Sequence, residues 1–157
     1  VYGSDEDAAM AYLKARLATE VPVATEGGVY LTVRDEDKEG TVEVASALHE
    51  LGFTLYATPG TADALREAGL PATTAFRIAE RQHPDALDLM REGKVQFIVN
   101  VPSVSGGAVR DGNMMRRLAV ELNIPFVTTL RGARMEVAAM AARVREEPVP
   151  RRLEVHY

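Results

Sequence analysis

Two hydrophobic patterns alternate along this chain. Short apolar runs, typical of strands, are followed by longer segments in which apolar residues recur every three or four positions, as in a helix with one buried face. Several of these segments end in a glycine directly before the next apolar run, as at Gly52, Gly69 and Gly93, where glycine supplies the left-handed residue that follows a helix. This alternation with short connections predicts βαβ units, and therefore an α/β fold around a parallel sheet.

The strongest predicted strand is 96–101, whose nearly continuous apolar run indicates burial on both faces. The other predicted strands are 29–33, 53–57, 73–76, 126–128 and 153–156, and the predicted helices are 39–51, 62–68, 85–92, 113–122 and 133–145.

The N-terminal part differs from this alternating pattern. Residues 5–17 form a further predicted helix, followed by a loose linker that contains Pro22. We interpret residues 1–27 as a helix and linker inherited from a preceding domain, and residues 28–157 as the domain itself. Because the first residue is Val1 rather than Met, we expect the chain to be a piece of a longer protein.

Polar side chains follow three of the predicted strands. Lys38 comes after the first, Thr58, Gly60 and Thr61 come after the second, and Asn100 lies near the end of the fourth. In an open parallel sheet, ligands bind outside the carboxyl ends of the strands, and helix N-termini there favour anions. The combination predicts a site for a small phosphorylated molecule.

Each of these residues also has a plainer interpretation. Thr61 stands where a helix N-cap is expected, Lys38 is a solvated side chain in a charged loop, and Asn100 is an amide that bonds a loop. We interpret the acidic clusters, including 35–37, as solvated loops and helix starts. The loop 103–107 is rich in Ser and Gly, and we expect it to be mobile and able to close over a ligand.

Composition narrows the function classes. The 157 residues are 46% hydrophobic and 26% charged, which is typical of one globular domain. A net charge of −5 argues against binding of nucleic acid, which normally needs a basic face. No apolar run approaches the roughly 20 residues of a membrane span, and no signal peptide is recognisable, so we expect a cytoplasmic protein without membrane contact.

We nominate no metal ligand and no catalytic residue from the sequence. The chain has no Cys, and His49, His83 and His156 each lack a second ligand at zinc-like spacing. Ser103 and Ser105 do not lie in a Gly-x-Ser-x-Gly motif and have no His partner in sequence.

Several short stretches resemble the methylglyoxal-synthase-like domain family, most closely the domain at the C-terminus of the large chain of carbamoyl-phosphate synthetase. They are Leu-Thr-Val-Arg-Asp-Glu-Asp-Lys at 31–38, Ala-Thr-Pro-Gly-Thr-Ala at 57–62, Val-Asn at 99–100, Met-Arg-Arg at 115–117 and Thr-Thr-Leu at 128–130. The resemblance implies a Rossmann-type three-layer fold with a central, mainly parallel five-stranded sheet.

The resemblance also implies a regulatory domain that binds a nucleotide effector such as UMP or IMP. Lys38, Thr58 and Thr61, with Gly60 between them, would hold the phosphate, and Asn100 would hold the ribose or base. By the same resemblance the effector site includes three further residues: Arg77, where many members have Lys, Thr32, where many have Ser, and Thr128, which matches a Thr near the ornithine site of members activated by ornithine.

The parent enzyme implied by the resemblance is an ATP-dependent ligase that uses ATP and Mg or Mn in its ATP-grasp domains. The partners of this domain would be those ATP-grasp domains and a glutaminase small chain, with a homo-oligomer as a further possibility. We expect the isolated chain to be non-catalytic and to carry no cofactor of its own.

Two alternatives remain open. The first is a methylglyoxal-synthase-type lyase that acts on dihydroxyacetone phosphate, but the stretch 76–82 lacks the Gly-Pro-x-Gly-Gly-Asp loop that supplies the base in that family. The second is a free-standing nucleotide-binding module.

Overall fold

The computed structural model of the chain describes residues 3–145 and contains one five-stranded sheet in that range. Its strands are β1 (Gly28–Val33), β2 (Thr54–Ala57), β3 (Ala72–Thr74), β4 (Phe97–Val101) and β5 (Phe126–Val127). They lie in the order β3-β2-β1-β4-β5, and every neighbouring pair is parallel. The predicted α/β class is confirmed, whereas the predicted strand 153–156 lies outside the described residues.

The helices of the described chain flank this sheet. They are α1 (Ala8–Leu17), α2 (Lys38–Glu50), α3 (Pro59–Glu67), α4 (Ala86–Arg91), α5 (Gly106–Glu121) and α6 (Leu130–Arg145), with short 3-10 turns at Asp35–Asp37 and Ile78–Glu80. None of them is long and apolar enough to cross a membrane.

Alternation of side chains along the strands divides the core into two layers. Leu31 of β1 and Val99 of β4 lie on one face, in a cluster with residues of α1, α2, α3 and α6. Tyr30 and Ile98, the neighbouring residues, lie on the other face with residues of α4 and α5. Because β1 and β4 are covered on both faces, their sequences are nearly continuously apolar rather than alternating.

Three helices begin earlier than the periodicity predicts. Helix α3 begins at Pro59, whose fixed φ suits the first turn and whose missing N–H costs nothing there. Helix α5 begins at Gly106, after Ser105, whose hydroxyl accepts the N–H of Ala108 at 3.4 Å. Helix α6 begins at Leu130, three residues before the predicted start at 133.

Two local expectations are therefore wrong. Gly106 and Gly107 belong to the first turn of α5 rather than to a loop. Thr61 is not an N-cap, because the N-cap position of α3 is Thr58 and Thr61 lies inside the first turn.

Helix α1 packs against α6 and contributes the fully buried Leu13 to the same core as the sheet. A buried ion pair joins the two helices, with Arg16 Nη2 2.8 Å from Glu136 Oε1. The assignment of residues 1–27 to a preceding domain stays a prediction, and in this structure their helix is part of the packed layers.

Candidate functional site

The order of the strands fixes where a ligand can bind. The chain leaves the central strand β1 toward β2 and β3, then returns to β4 on the other side of β1. Such a reversal opens a crevice outside the carboxyl ends of the two strands. A cleft of about 200 Å³ lies there, and it is lined from β1, β4, α5 and the 3-10 turns; the lining residues used below are Tyr30, Thr32, Arg34, Asp35, Arg77, Asn100 and Asp111.

Three of the predicted site residues meet in this cleft. Thr32 and Asn100 are register partners on β1 and β4, and Arg77 enters just before the 3-10 turn Ile78–Glu80. Asn100 is only 4% exposed. Helix α5 approaches it so closely that a Cβ on Gly112 would lie 2.7 Å from Asn100 Nδ2, which explains why a glycine stands at that position.

Four other predicted residues form a second group, the anion cluster: Lys38, Thr58, Gly60 and Thr61. The Thr58 hydroxyl donates to Thr61 Oγ1 at 3.1 Å, and the Val33 N–H donates to the same oxygen at 3.4 Å. Because Thr61 Oγ1 accepts both of these bonds, its own O–H is left as a donor.

Lys38 completes the anion cluster from the start of α2. Its Nζ lies 3.0 Å from the position that a Cβ on Gly60 would take. Thr58 and Thr61 are each 1% exposed, and no member of the cluster is among the residues that line the cleft. The structure thus brings the four residues together beside the cleft, with the two Thr side chains buried and with Lys38 and Gly60 open to solvent.

Asp35 connects the two groups. It lines the cleft, and its Oδ1 lies 2.7 Å from Lys38 Nζ. The hydrogen bond and charge of Lys38 lower the pKa of Asp35, and the charge of Arg77 lowers it further. The neighbouring acidic residues Glu36 and Asp37 pair with Arg34 instead.

Thr128 is not one of the residues of the cleft. It follows the edge strand β5 and is exposed.

Sequence reasoning missed two polar residues of the cleft, Tyr30 and Asp111. Asp111 is buried in α5 and accepts the N–H of Ala79 at 3.2 Å. Burial raises the pKa of Tyr30, and the charge of Asp111 adds to the effect, so the phenol stays protonated and can donate a hydrogen bond. A correct start of α5 would have revealed Asp111, because it then lies one helical turn before the buried Met115.

A further group of polar residues lies outside the cleft, at His83, Asp85 and Asp88. Each has a side-chain atom that could coordinate a metal ion, and these atoms lie within 4.8 Å of one another. Their spacing in the sequence did not indicate this group. Asp85 and Asp88 exchange capping bonds with each other's backbone N–H at 3.0 and 2.9 Å. His83 Nδ1 lies 2.5 Å from Asp88 Oδ2, and this hydrogen bond raises the pKa of His83 and lowers that of Asp88. The three side chains could hold a cation, although their main contacts are with one another.

Comparison with known proteins identifies relatives of this chain. Residues 40–128 match the model of the MGS-like domain family. The chain is 46% identical over 140 residues to the carbamoyl phosphate synthase large chain, C-terminal section, of Methanocaldococcus jannaschii, an alignment that covers 89% of this chain and 22% of that protein. It is 37% identical over 154 residues to the carbamoyl phosphate synthase large chain of Gemmatimonas aurantiaca, covering 98% of this chain and 14% of that protein. The chain therefore spans between about a seventh and a fifth of these two relatives.

Proposed function

The chain belongs to the MGS-like domain family, and we propose that it is the allosteric regulatory domain of a carbamoyl-phosphate synthase large chain, with a nucleotide of the UMP or IMP type as effector. Binding would control the synthesis of carbamoyl phosphate from bicarbonate, glutamine-derived ammonia and ATP, for pyrimidine and arginine biosynthesis. The ATP-grasp domains of the same large chain and a glutaminase small chain would be its partners, and the cytoplasm its location.

The observation that carries this proposal is the position of the anion cluster next to the cleft at the β1–β4 switch point. A nucleoside monophosphate has the two parts that such an arrangement needs, a dianionic phosphate and a polar ring system with hydroxyl groups. The phosphate would be bound by Lys38, by the free N–H groups at the start of α3 and by the Thr61 hydroxyl. The ribose or base would be bound in the cleft, by Asn100 and Thr32 and by the hydrogen-bonding groups of Tyr30 and Asp111.

Calorimetric titration of the chain with UMP, IMP and ornithine tests the proposal. We expect a nucleotide to bind, and Lys38→Ala to weaken that binding by about 1.5–3 kcal/mol, the range for hydrogen bonds to charged groups. Lys94→Ala is a matched control, because Lys94 pairs with Glu92 before β4, at the opposite ends of the strands. Equal affinities of the Lys38→Ala and wild-type chains would remove Lys38 from the site.

Thr61→Ala is a less specific test than Lys38→Ala. Removing this hydroxyl also takes away the acceptor of the Val33 N–H, and leaving a buried donor unpaired costs about 1–3 kcal/mol of stability. A loss of binding in that variant would therefore combine lost contact with disturbed packing.

A lyase that acts on dihydroxyacetone phosphate is the second candidate, and Asp111 is the observation that favours it. Asp111 places a carboxylate in a cleft beside the proposed phosphate site, and a carboxylate is one of the groups that can remove a proton next to a carbonyl. An assay for methylglyoxal formed from dihydroxyacetone phosphate separates the two functions, since we expect the regulatory domain to form none.

A further inference from the structure

The ion pair between Asp35 and Lys38 joins the cleft to the proposed phosphate site. Lys38 Nζ lies at once 2.7 Å from Asp35 Oδ1 and close to Gly60 in the first turn of α3. The hydroxyl-bearing residues of that turn, Thr58 and Thr61, are almost inaccessible. A phosphate that binds at this turn therefore meets a Lys38 ammonium that is already paired with Asp35.

Asp35 interacts with both cations that the proposed effector would need. It forms a hydrogen-bonded ion pair with Lys38, and the charge of Arg77 stabilises its ionised form as well. An anionic ligand that reaches Lys38 meets the negative charge of Asp35, which already forms an ion pair with that ammonium. Like charges at such distances repel, so the ligand either displaces the carboxylate or binds against its charge.

We propose that Asp35 is an internal counter-ion that competes with the effector's phosphate for Lys38 and so sets the affinity of the site. This inference rests on the proposed function, because it takes the anion cluster as a phosphate site. The side chain of Asp35 is 91% exposed while that of Lys38 is 27% exposed, so the carboxylate can swing into solvent while the ammonium stays in place.

The neighbouring carboxylates do not share this geometry. Glu36 and Asp37 lie in the same 3-10 turn and carry the same charge, but both pair with Arg34 rather than with Lys38. Glu36 is itself 78% exposed, so Glu36→Gln removes one negative charge from the same turn without touching the Lys38 pair. It is the matched control for Asp35→Asn.

The test is calorimetric titration of the chain with inorganic phosphate and with UMP, using wild type, Asp35→Asn, Glu36→Gln, Lys38→Met and the double variant Asp35→Asn/Lys38→Met. We expect Asp35→Asn to bind about 3- to 10-fold more tightly than wild type, from the lost competition and the lost repulsion. Glu36→Gln should stay within about 2-fold of wild type. When Lys38 is already replaced by Met, Asp35→Asn should raise the affinity no more than Glu36→Gln does in the wild-type chain. Such non-additivity is expected because Asp35 acts on the ligand through Lys38.

Carbon NMR of the Asp35 carboxyl group gives an independent readout. Its pKa should lie below the ordinary value in the wild-type chain and rise when Lys38 is replaced by Met, without any ligand present. Adding phosphate to the wild-type chain should also raise it, because the ligand takes Lys38 away from Asp35.

The outcomes separate this inference from the proposed function. If wild type binds UMP but Asp35→Asn binds it no more tightly, the counter-ion role is wrong and the effector site stands. The counter-ion role would also be wrong if Asp35→Asn raised the affinity equally with and without the Lys38 side chain. The effect would then come from the removed negative charge alone and not from competition for Lys38. If neither phosphate nor UMP binds to any variant, the proposed function and the counter-ion role are both wrong.

Discussion

Gly60 lies in the first turn of α3, and a Cβ at this position would meet the Lys38 ammonium at 3.0 Å, a tight contact. The Nζ atom is the far end of a flexible side chain, so an added methyl group can push it aside without moving the backbone. A substitution at Gly60 is therefore expected to change ligand affinity and folding stability in different directions.

For Gly60→Ala we expect weaker binding of UMP, by about tenfold, because Lys38 loses its place in the anion cluster. The same change should raise the free energy of unfolding by about 0.5–1 kcal/mol, since alanine costs less conformational entropy in a helix than glycine does. Calorimetry and urea denaturation measure the two effects.

Gly106→Ala is the control for Gly60→Ala. It also lies in the first turn of a helix, but a Cβ there meets nothing within 4 Å. Unaltered UMP affinity in Gly60→Ala would show that Lys38 binds from another position.

At the scale of elements, α1 is held to α6 by a buried polar network around Glu136. This carboxylate is 1% exposed, accepts from the Arg16 guanidinium and accepts the Tyr12 hydroxyl at 2.8 Å. Arg16 also donates to the carbonyls of Val21 and Pro22, so one side chain fixes the helix, the following linker and α6. Burial, followed by the hydrogen bond to Glu136, raises the pKa of Tyr12 to about 12.

We expect Arg16→Met to lower the free energy of unfolding by about 3 kcal/mol, because it leaves the Glu136 carboxylate buried without its cation. Arg134→Met on α6 is the control. It removes an arginine whose pair with Glu43 is exposed, and such pairs contribute roughly 0–1 kcal/mol. Urea denaturation measures the free energy of unfolding of both variants. Equal decreases would mean that the Arg16–Glu136 pair stabilises the fold no more than the exposed pair does.

At the scale of the whole molecule, regulation requires a ligand whose affinity differs between two states of the intact enzyme. The chain spans only a fraction of its relatives, so the isolated domain should bind nucleotide without hydrolysing ATP or forming carbamoyl phosphate. We expect residues 5–17, which include α1, and residues 128–132, which lead into α6, to transmit the change. In the proposed large chain the first would join this domain to the preceding one, and the second follows β5, the strand next to β4.

An intact large chain with both Lys38→Ala and Thr58→Ala tests this directly. We expect the ratio of carbamoyl-phosphate synthesis rates with and without UMP to fall to about one, because the phosphate contacts are lost. A full nucleotide response in that double variant would place the effector site elsewhere.

Local pattern in the sequence was sufficient for much of this protein. The apolar runs and helical periodicity predicted the described strands and helices of the sheet layers, because each pattern reports the burial of its own segment, although α5 begins at Gly106 rather than at the predicted 113. The strand ends also predicted that Lys38, Thr58, Thr61 and Asn100 lie at one edge of the sheet, and the structure places Asn100 in the cleft and the other three in the anion cluster beside it. That inference needs only the rule that parallel strands bring their carboxyl ends to one edge.

Tertiary structure decided what surrounds those residues. The sequence alone did not reveal that Asp111 and Tyr30 line the cleft whereas Thr128 does not. Nor did it reveal that Asp35 pairs with Lys38 while its acidic neighbours pair with Arg34. These relations depend on which strands become neighbours and on how closely α5 approaches β4 across Gly112. Periodicity is a property of one segment, whereas such contacts join residues far apart in sequence, and only the packed chain determines them.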